Sequence, residues 1–188
     1  MTTHVTIKGW APKVGILLAL AGATTLTIAI DVWLSSANRH VLPRKGGLLD
    51  LLLIVVVVLL TLALHEAIHG VAFLGFGGRP RYRIGLAMGM PSIFVAVEGF
   101  VVRWWQMLII GISPFVVLTA LATALALIVP AVTLAAVLMV SVNVIGACID
   151  LYLMVRLLAC RVRYGPGLVT DTRDGFIYDS AAVLPQAA

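Results

Sequence analysis

Apolar residues fall in four long blocks along the chain, with few polar positions between them. The blocks run roughly from Val14 to Leu34, from Leu48 to Phe76, from Trp104 to Val129 and from Ala131 to Ala159. Each is long enough to cross a bilayer, for which a helix needs about 20 residues. The pattern predicts an all-α polytopic membrane protein with about four transmembrane helices in a single domain, residues 1–165, followed by a polar cytoplasmic tail, residues 166–188. Only Pro130 and its neighbours separate the last two blocks, which predicts a tight helical hairpin there. The first block follows Lys8 and Lys13, as a signal peptide would, and Ser35-Ser36-Ala37 offers small residues near a cleavage position. Its apolar part exceeds the roughly 7–15 residues of a signal core, so an uncleaved anchor is expected.

The segment 79–100, "RPRYRIGLAMGMPSIFVAVEGF", breaks the helical pattern. Gly85, Gly89, Pro91 and Gly99 interrupt it. Tyr82, Ile84, Leu86 and Met88 alternate with other residues at strand period, "IFVAV" is β-branched and aromatic, and Gly89 to Ser92 has turn chemistry. A small β-hairpin or re-entrant loop at the cytoplasmic face is expected. Irregular backbone is tolerated at membrane depth only where protein or water covers it, so this segment should line a cavity. An edge strand between Tyr82 and Val97 could hold an extended substrate by strand pairing, which makes Tyr82, Ile84 and Leu86 candidate substrate-binding residues. In the tail, Asp171, Asp174 and Asp179 alternate with Arg173, Phe176 and Tyr178, which suggests one strand.

Composition agrees with the block pattern: 62% of residues are hydrophobic and 11% charged, against about half and about a quarter in a soluble domain. The net charge of +5 is therefore a report on topology, not a sign of nucleic-acid binding. Lys8, Lys13, Arg79, Arg81, Arg83, Arg103, Arg156, Arg161, Arg163 and Arg173 fall on one side of a four-span arrangement; Arg39, Arg44 and Lys45 fall on the other. The excess places both termini in the cytoplasm. Cys148 and Cys160 read as two small buried hydrophobes, with no disulfide framework and no CxxC pair.

Against this background "LALHEAIHGVAF", Leu62 to Phe73, places two histidines and a glutamate inside an apolar run, where ionisable groups are costly. His65-Glu66-Ala67-Ile68-His69 is HExxH. On a helix His65 and His69 share a face and can grip one metal ion, and Glu66 beside them can take a proton from a water that the metal activates. Zinc, which favours imidazole nitrogen, would turn two costly buried rings into ligands. The alternative is a histidine pair bonded to neighbouring helices with Glu66 facing water. A catalytic zinc needs a third protein ligand. Asp150 is the only carboxylate of the fourth block, seven residues after Asn143 and so on nearly the same helical face, with Gly146 between them to admit a neighbouring helix. His69 and Asp150 also fall at about the same distance from the ends of their blocks. Glu98, 29 residues after His69, is the rival ligand.

These motifs resemble the site-2 protease class of intramembrane zinc metalloproteases, and more closely a small prokaryotic family of membrane zincin peptidases. The resemblance is carried by "HEAIHG", "GISPF", "NVIGACIDLY" and the tail "DTRDGFIY", over roughly Leu48 to Tyr178. It implies His65, His69 and Asp150 as zinc ligands, Glu66 as general base, Asn143 as a polar group near the substrate carbonyl, and cleavage of membrane-protein substrates in or near the bilayer of a prokaryotic cell membrane. The chain departs from the larger class in lacking its Pro-rich run around Asn143 and the Gly after Asp150, where Leu151 stands. A metal-binding scaffold, a pseudoprotease and a zinc transporter are the alternatives. Intact Glu66 disfavours the first two, and the lack of further His or acidic residues along a path disfavours the third.

Overall fold

A computed structural model describes residues 1–6, 47–87, 90–172 and 174–181, together with isolated positions between 13 and 36. The first apolar block therefore lies largely outside the described residues. The second block forms helix α1, Leu48–Gly75. Its end is set by the glycine-rich run that follows: Gly77 adopts φ +86°, and the Gly78 N–H folds back to Phe73 O at 2.8 Å, a closure that favours glycine. The hairpin expected between the second and third blocks is present as β2, Arg81–Ala87, and β3, Met90–Ala96, paired antiparallel with Tyr82 opposite Val95; its tip, residues 88–89, lies outside the described residues. A short strand β4, Val101–Arg103, leads into helix α2, Trp104–Ile128. The Arg103 N–H at its start donates to Gln106 Oε1 at 2.8 Å.

A 3₁₀ turn, Pro130–Val132, reverses the chain as expected. The fourth block departs from the single helix that its sequence suggested. It forms α3, Thr133–Gly146, and α4, Cys148–Tyr164, bent by 48° at Ala147. Gly146, a poor helix former, supplies the weak point. Among the described residues α1 and α2 are each long and apolar enough to cross a membrane, and the bent α3–α4 pair counts as a third span if taken as one. These helices point to a membrane protein. Most of α1 presents its aliphatic side chains outward, Leu48, Leu51, Val56 and Leu59 among them.

The C-terminal segment forms two strands where the sequence suggested one: β5, Leu168–Thr172, and β6, Gly175–Asp179. The first residues of the chain add β1, Thr2–Thr6, which the sequence did not suggest. The sheet order is β1-β6-β5-β4, antiparallel throughout, with Thr2 opposite Asp179 and Val101 opposite Thr170. Val5, Val102, Val169, Phe176 and Tyr178 face the sheet-proximal ends of α2 and α4, where they bury Met107, Met154, Leu157 and Cys160. A second core lies deeper in the bundle. There Ala122 and Ala126 of α2 meet Ala136, Val140 and Val144 of α3, small residues that let helices approach closely in lipid.

Candidate metal centre

His65 and His69 sit one turn apart on α1 and point into the bundle, 4% and 9% exposed. Asp150, in the first turn of α4, reaches both. Its Oδ2 lies 3.1 Å from His65 Nε2 and 3.4 Å from His69 Nε2. The HExxH helix ends within one residue of the end expected at Phe76, but the helix that carries Asp150 runs five residues past the end expected at Ala159, so the two residues do not lie equally far from their helix ends. His69 lies six residues before the end of α1 and Asp150 fourteen before the end of α4. The residues meet all the same, because the last turns of α4 run on past the end expected at Ala159. There Arg161 covers the Trp104 ring, 5.3 Å from its centroid.

The partners of the other ring nitrogens fix what the histidines can do. His65 Nδ1 lies 2.9 Å from Asn143 Oδ1, and the Asn143 amide is oriented by its nitrogen, which donates to Pro114 O, Phe115 O and Thr119 Oγ1 at 3.2–3.3 Å. His69 Nδ1 lies 2.9 Å from the Ile110 carbonyl. Both oxygens can only accept, so each Nδ1 carries a proton, and each neutral ring presents a lone pair at Nε2. Two lone pairs and a carboxylate oxygen thus converge with no proton between them, an arrangement that a cation satisfies. Two ligands of a tetrahedral zinc, each about 2.0–2.1 Å from the ion, sit about 3.3 Å apart. The two Asp150 distances match this spacing, and all three ligand atoms lie within 4.8 Å of one another.

The sequence explains why the Ile110 carbonyl is free to orient His69. Within α2 its helical donor would be the N–H of residue 114, and residue 114 is proline. The carbonyl accepts instead from His69 Nδ1 and from Ser113 Oγ, the latter at 3.0 Å. The same turn supplies the carbonyls that orient Asn143. "GISPF" therefore sets the tautomers of both histidines, a role the sequence reading missed. Its legible signal was a proline in the middle of an apolar helix. Pro114→Ala restores a competing N–H beneath Ile110 O; zinc affinity, measured by competition with a chelator, is expected to fall about 10–100-fold, although alanine is the better helix former.

Glu66 projects beside the three converging atoms, and its Oε2 accepts the Val95 N–H of β3 at 2.8 Å. Glu98 does not join the group: it pairs with Arg83 at 2.8 Å, with about 44% of its side chain exposed. Asn143 differs from its sequence-based role. At 1% exposed, with its oxygen on His65 and its nitrogen on α2, it has no N–H left for a substrate carbonyl. Tyr82 is exposed, and its hydroxyl closes over Gly70, next to His69, where a larger residue would displace it. Ile84 is 84% exposed, and the Leu86 side chain lies outside the described residues. Gly146 approaches His65, but an added Cβ would sit 3.9 Å from the ring, an ordinary contact, so close approach does not demand glycine there. Cys148 and Cys160 are both free and buried, as expected.

An HExxH helix facing a carboxylate from a second helix defines a zincin-type metal centre. The chain belongs to a known family of that kind: a family model described as "Putative zincin peptidase" matches residues 58–163, more than half its length. The match spans both histidines, Glu66, Pro114, Asn143 and Asp150. Neither the curated proteins nor the solved structures contain a match. The family implies zinc as the metal and metallopeptidase as the class of activity, and His65, His69 and Asp150 form the group that fits it.

Proposed function

We propose that this protein is an intramembrane zinc metalloprotease of the site-2 protease kind, which hydrolyses peptide bonds of membrane proteins within or near the bilayer. The observation that carries the reading is the position of Glu66: a carboxylate inside an apolar helix, adjacent to the three-ligand group and hydrogen-bonded to a strand rather than to a cation. When bound by His65, His69 and Asp150, zinc supplies Lewis acidity and lowers the pKa of a water it holds to about 7. Glu66 accepts the proton of the attacking water as its oxygen adds to the scissile carbonyl. The C–N bond then breaks, and Glu66 returns the proton to the leaving amine. Asn143 and the Ile110 carbonyl keep the imidazoles in the tautomer that binds metal through Nε2.

A transmembrane helix protects its own peptide bonds and must be extended before attack. An extended segment paired with the hairpin through β2, which carries Tyr82 and Ile84, would lie on the element that holds Glu66 at Val95. Both termini lie on one side in this reading, which the β1–β6 pairing supports, and the Lys/Arg distribution makes that side the cytoplasm of a prokaryotic cell. The test is cleavage of a transmembrane-peptide library by zinc-loaded protein in proteoliposomes. Products that disappear on chelation and return with zinc are expected. Their absence across the library would leave the metal-binding scaffold as the better account.

A further inference from the structure

A second carboxylate holds the same strand edge as Glu66. Among the described residues β3 pairs with β2 on one side only. The N–H groups of Val95 and Val97, two residues apart, point to the other edge, about 7 Å from each other at strand rise. Val95 donates to Glu66 Oε2, and Val97 donates to Asp171 Oδ2, each at 2.8 Å. Asp171 belongs to β5 and lies beyond the segment that the family model matches. Its backbone fastens the turn after β3 as well: the Gly99 N–H donates to Asp171 O, and the Asp171 N–H donates to Phe100 O, both at 3.0 Å. Asp171 is thus the joint between the hairpin and the four-stranded sheet, and that sheet is anchored on α2 and α4 through Val169 and Phe176.

We propose that Asp171 is a positioning residue for Glu66: by fixing the Val97 N–H it sets the register of β3 over α1, and with it the Val95 N–H that aims the Glu66 carboxylate. The linkage runs from the sheet to Asp171, to Val97 just past the end of β3, to Val95 within it, and to Glu66. Burial pushes the Asp171 carboxyl up to about 6, and the nearby Glu98 carboxylate adds to the rise; the N–H groups of Val97 and Thr172 and the His69 ring act against it. A charged acceptor kept in so unfavourable a setting is hard to explain as packing alone. The proposal rests on Glu66 as the base of the reaction proposed above. Its test uses no cleavage, so the two readings fail separately.

The experiment is amide hydrogen exchange on full-length, zinc-loaded protein in nanodiscs. In Asp171→Ala, exchange at Val97 is expected to rise at least tenfold, and exchange at Val95 to rise with it, while the α2–α3 core stays protected and zinc stays at one per chain. Asp171→Asn keeps an acceptor oxygen and is expected to restore protection at both amides. Faster exchange at Val97 with Val95 unchanged would overturn the proposal. So would an Asp171→Asn protein that keeps its core protection yet fails to restore Val95. If Asp171→Ala does not fold, the Asp171→Asn comparison alone decides.

Discussion

Glu66→Gln protein is expected to bind zinc at the wild-type stoichiometry and to hydrolyse substrate at least about 10²–10⁴-fold more slowly, the usual loss when a general base is removed. Glutamine matches glutamate in size, and its Oε1 can still accept the Val95 N–H that Glu66 Oε2 accepts at 2.8 Å. The hairpin therefore keeps its place on α1. The group that could hold the metal, His65, His69 and Asp150, is untouched. What the substitution removes is the capacity to take a proton, so substrate should bind and accumulate uncut. Metal content by mass spectrometry and single-turnover cleavage, measured on one preparation, make the check. A wild-type rate from Glu66→Gln would remove Glu66 from the chemistry.

Asp150→Ala acts on the metal itself. With Asp150 gone the site is left with two imidazoles, fewer than the three protein ligands of a catalytic zinc. Two Nε2 lone pairs then face each other with no anion to offset the ion's charge. Zinc affinity should fall by more than about 100-fold, beyond the usual cost of losing a partner that only orients a ligand. Activity should fall with it. Glu98→Ala is the companion measurement: Glu98 is held by Arg83 at the rim, and its loss should leave affinity unchanged. If zinc survives in Asp150→Ala and is lost in Glu98→Ala, the third ligand has been assigned to the wrong carboxylate.

The helical body and the metal group were legible because their signals are local or strongly periodic. Apolar runs of membrane length announce α1 and α2, HExxH fixes two ligands at one helical turn, and Asp150 stood out as the lone carboxylate of its block. The hairpin could be read from alternation and turn residues. The break at Ala147 was harder, since a glycine in an apolar helix serves close packing as often as it marks a weak point. β1 left almost no trace: Thr2–Thr6 is short and mostly threonine, and only Val5 is buried, at 4%. It exists because β6 offers it an edge, a fact set by residues 169 to 177 positions away. The outer hydrogen bonds of the histidines were illegible for a related reason. Pro114 and Asn143 are 29 residues apart, and nothing local shows that they meet beneath His65 and His69.

The pairing of β1 with β6 has a consequence for how the molecule is made. Thr2 precedes its partner Asp179 by 177 positions, so β1 is synthesised well before the strand it pairs with. Such long-range pairing forms late, because the loop must close before its contacts stabilise it. The apolar helices can enter the bilayer and bring the metal ligands together while the ribosome is still completing the tail. Until β5 and β6 emerge, the Val97 N–H has no carboxylate and the hairpin no joint to the sheet. A chain whose candidate metal group has already come together is thus still without the joint that places its hairpin, and synthesis of β5 and β6 is the step that supplies it.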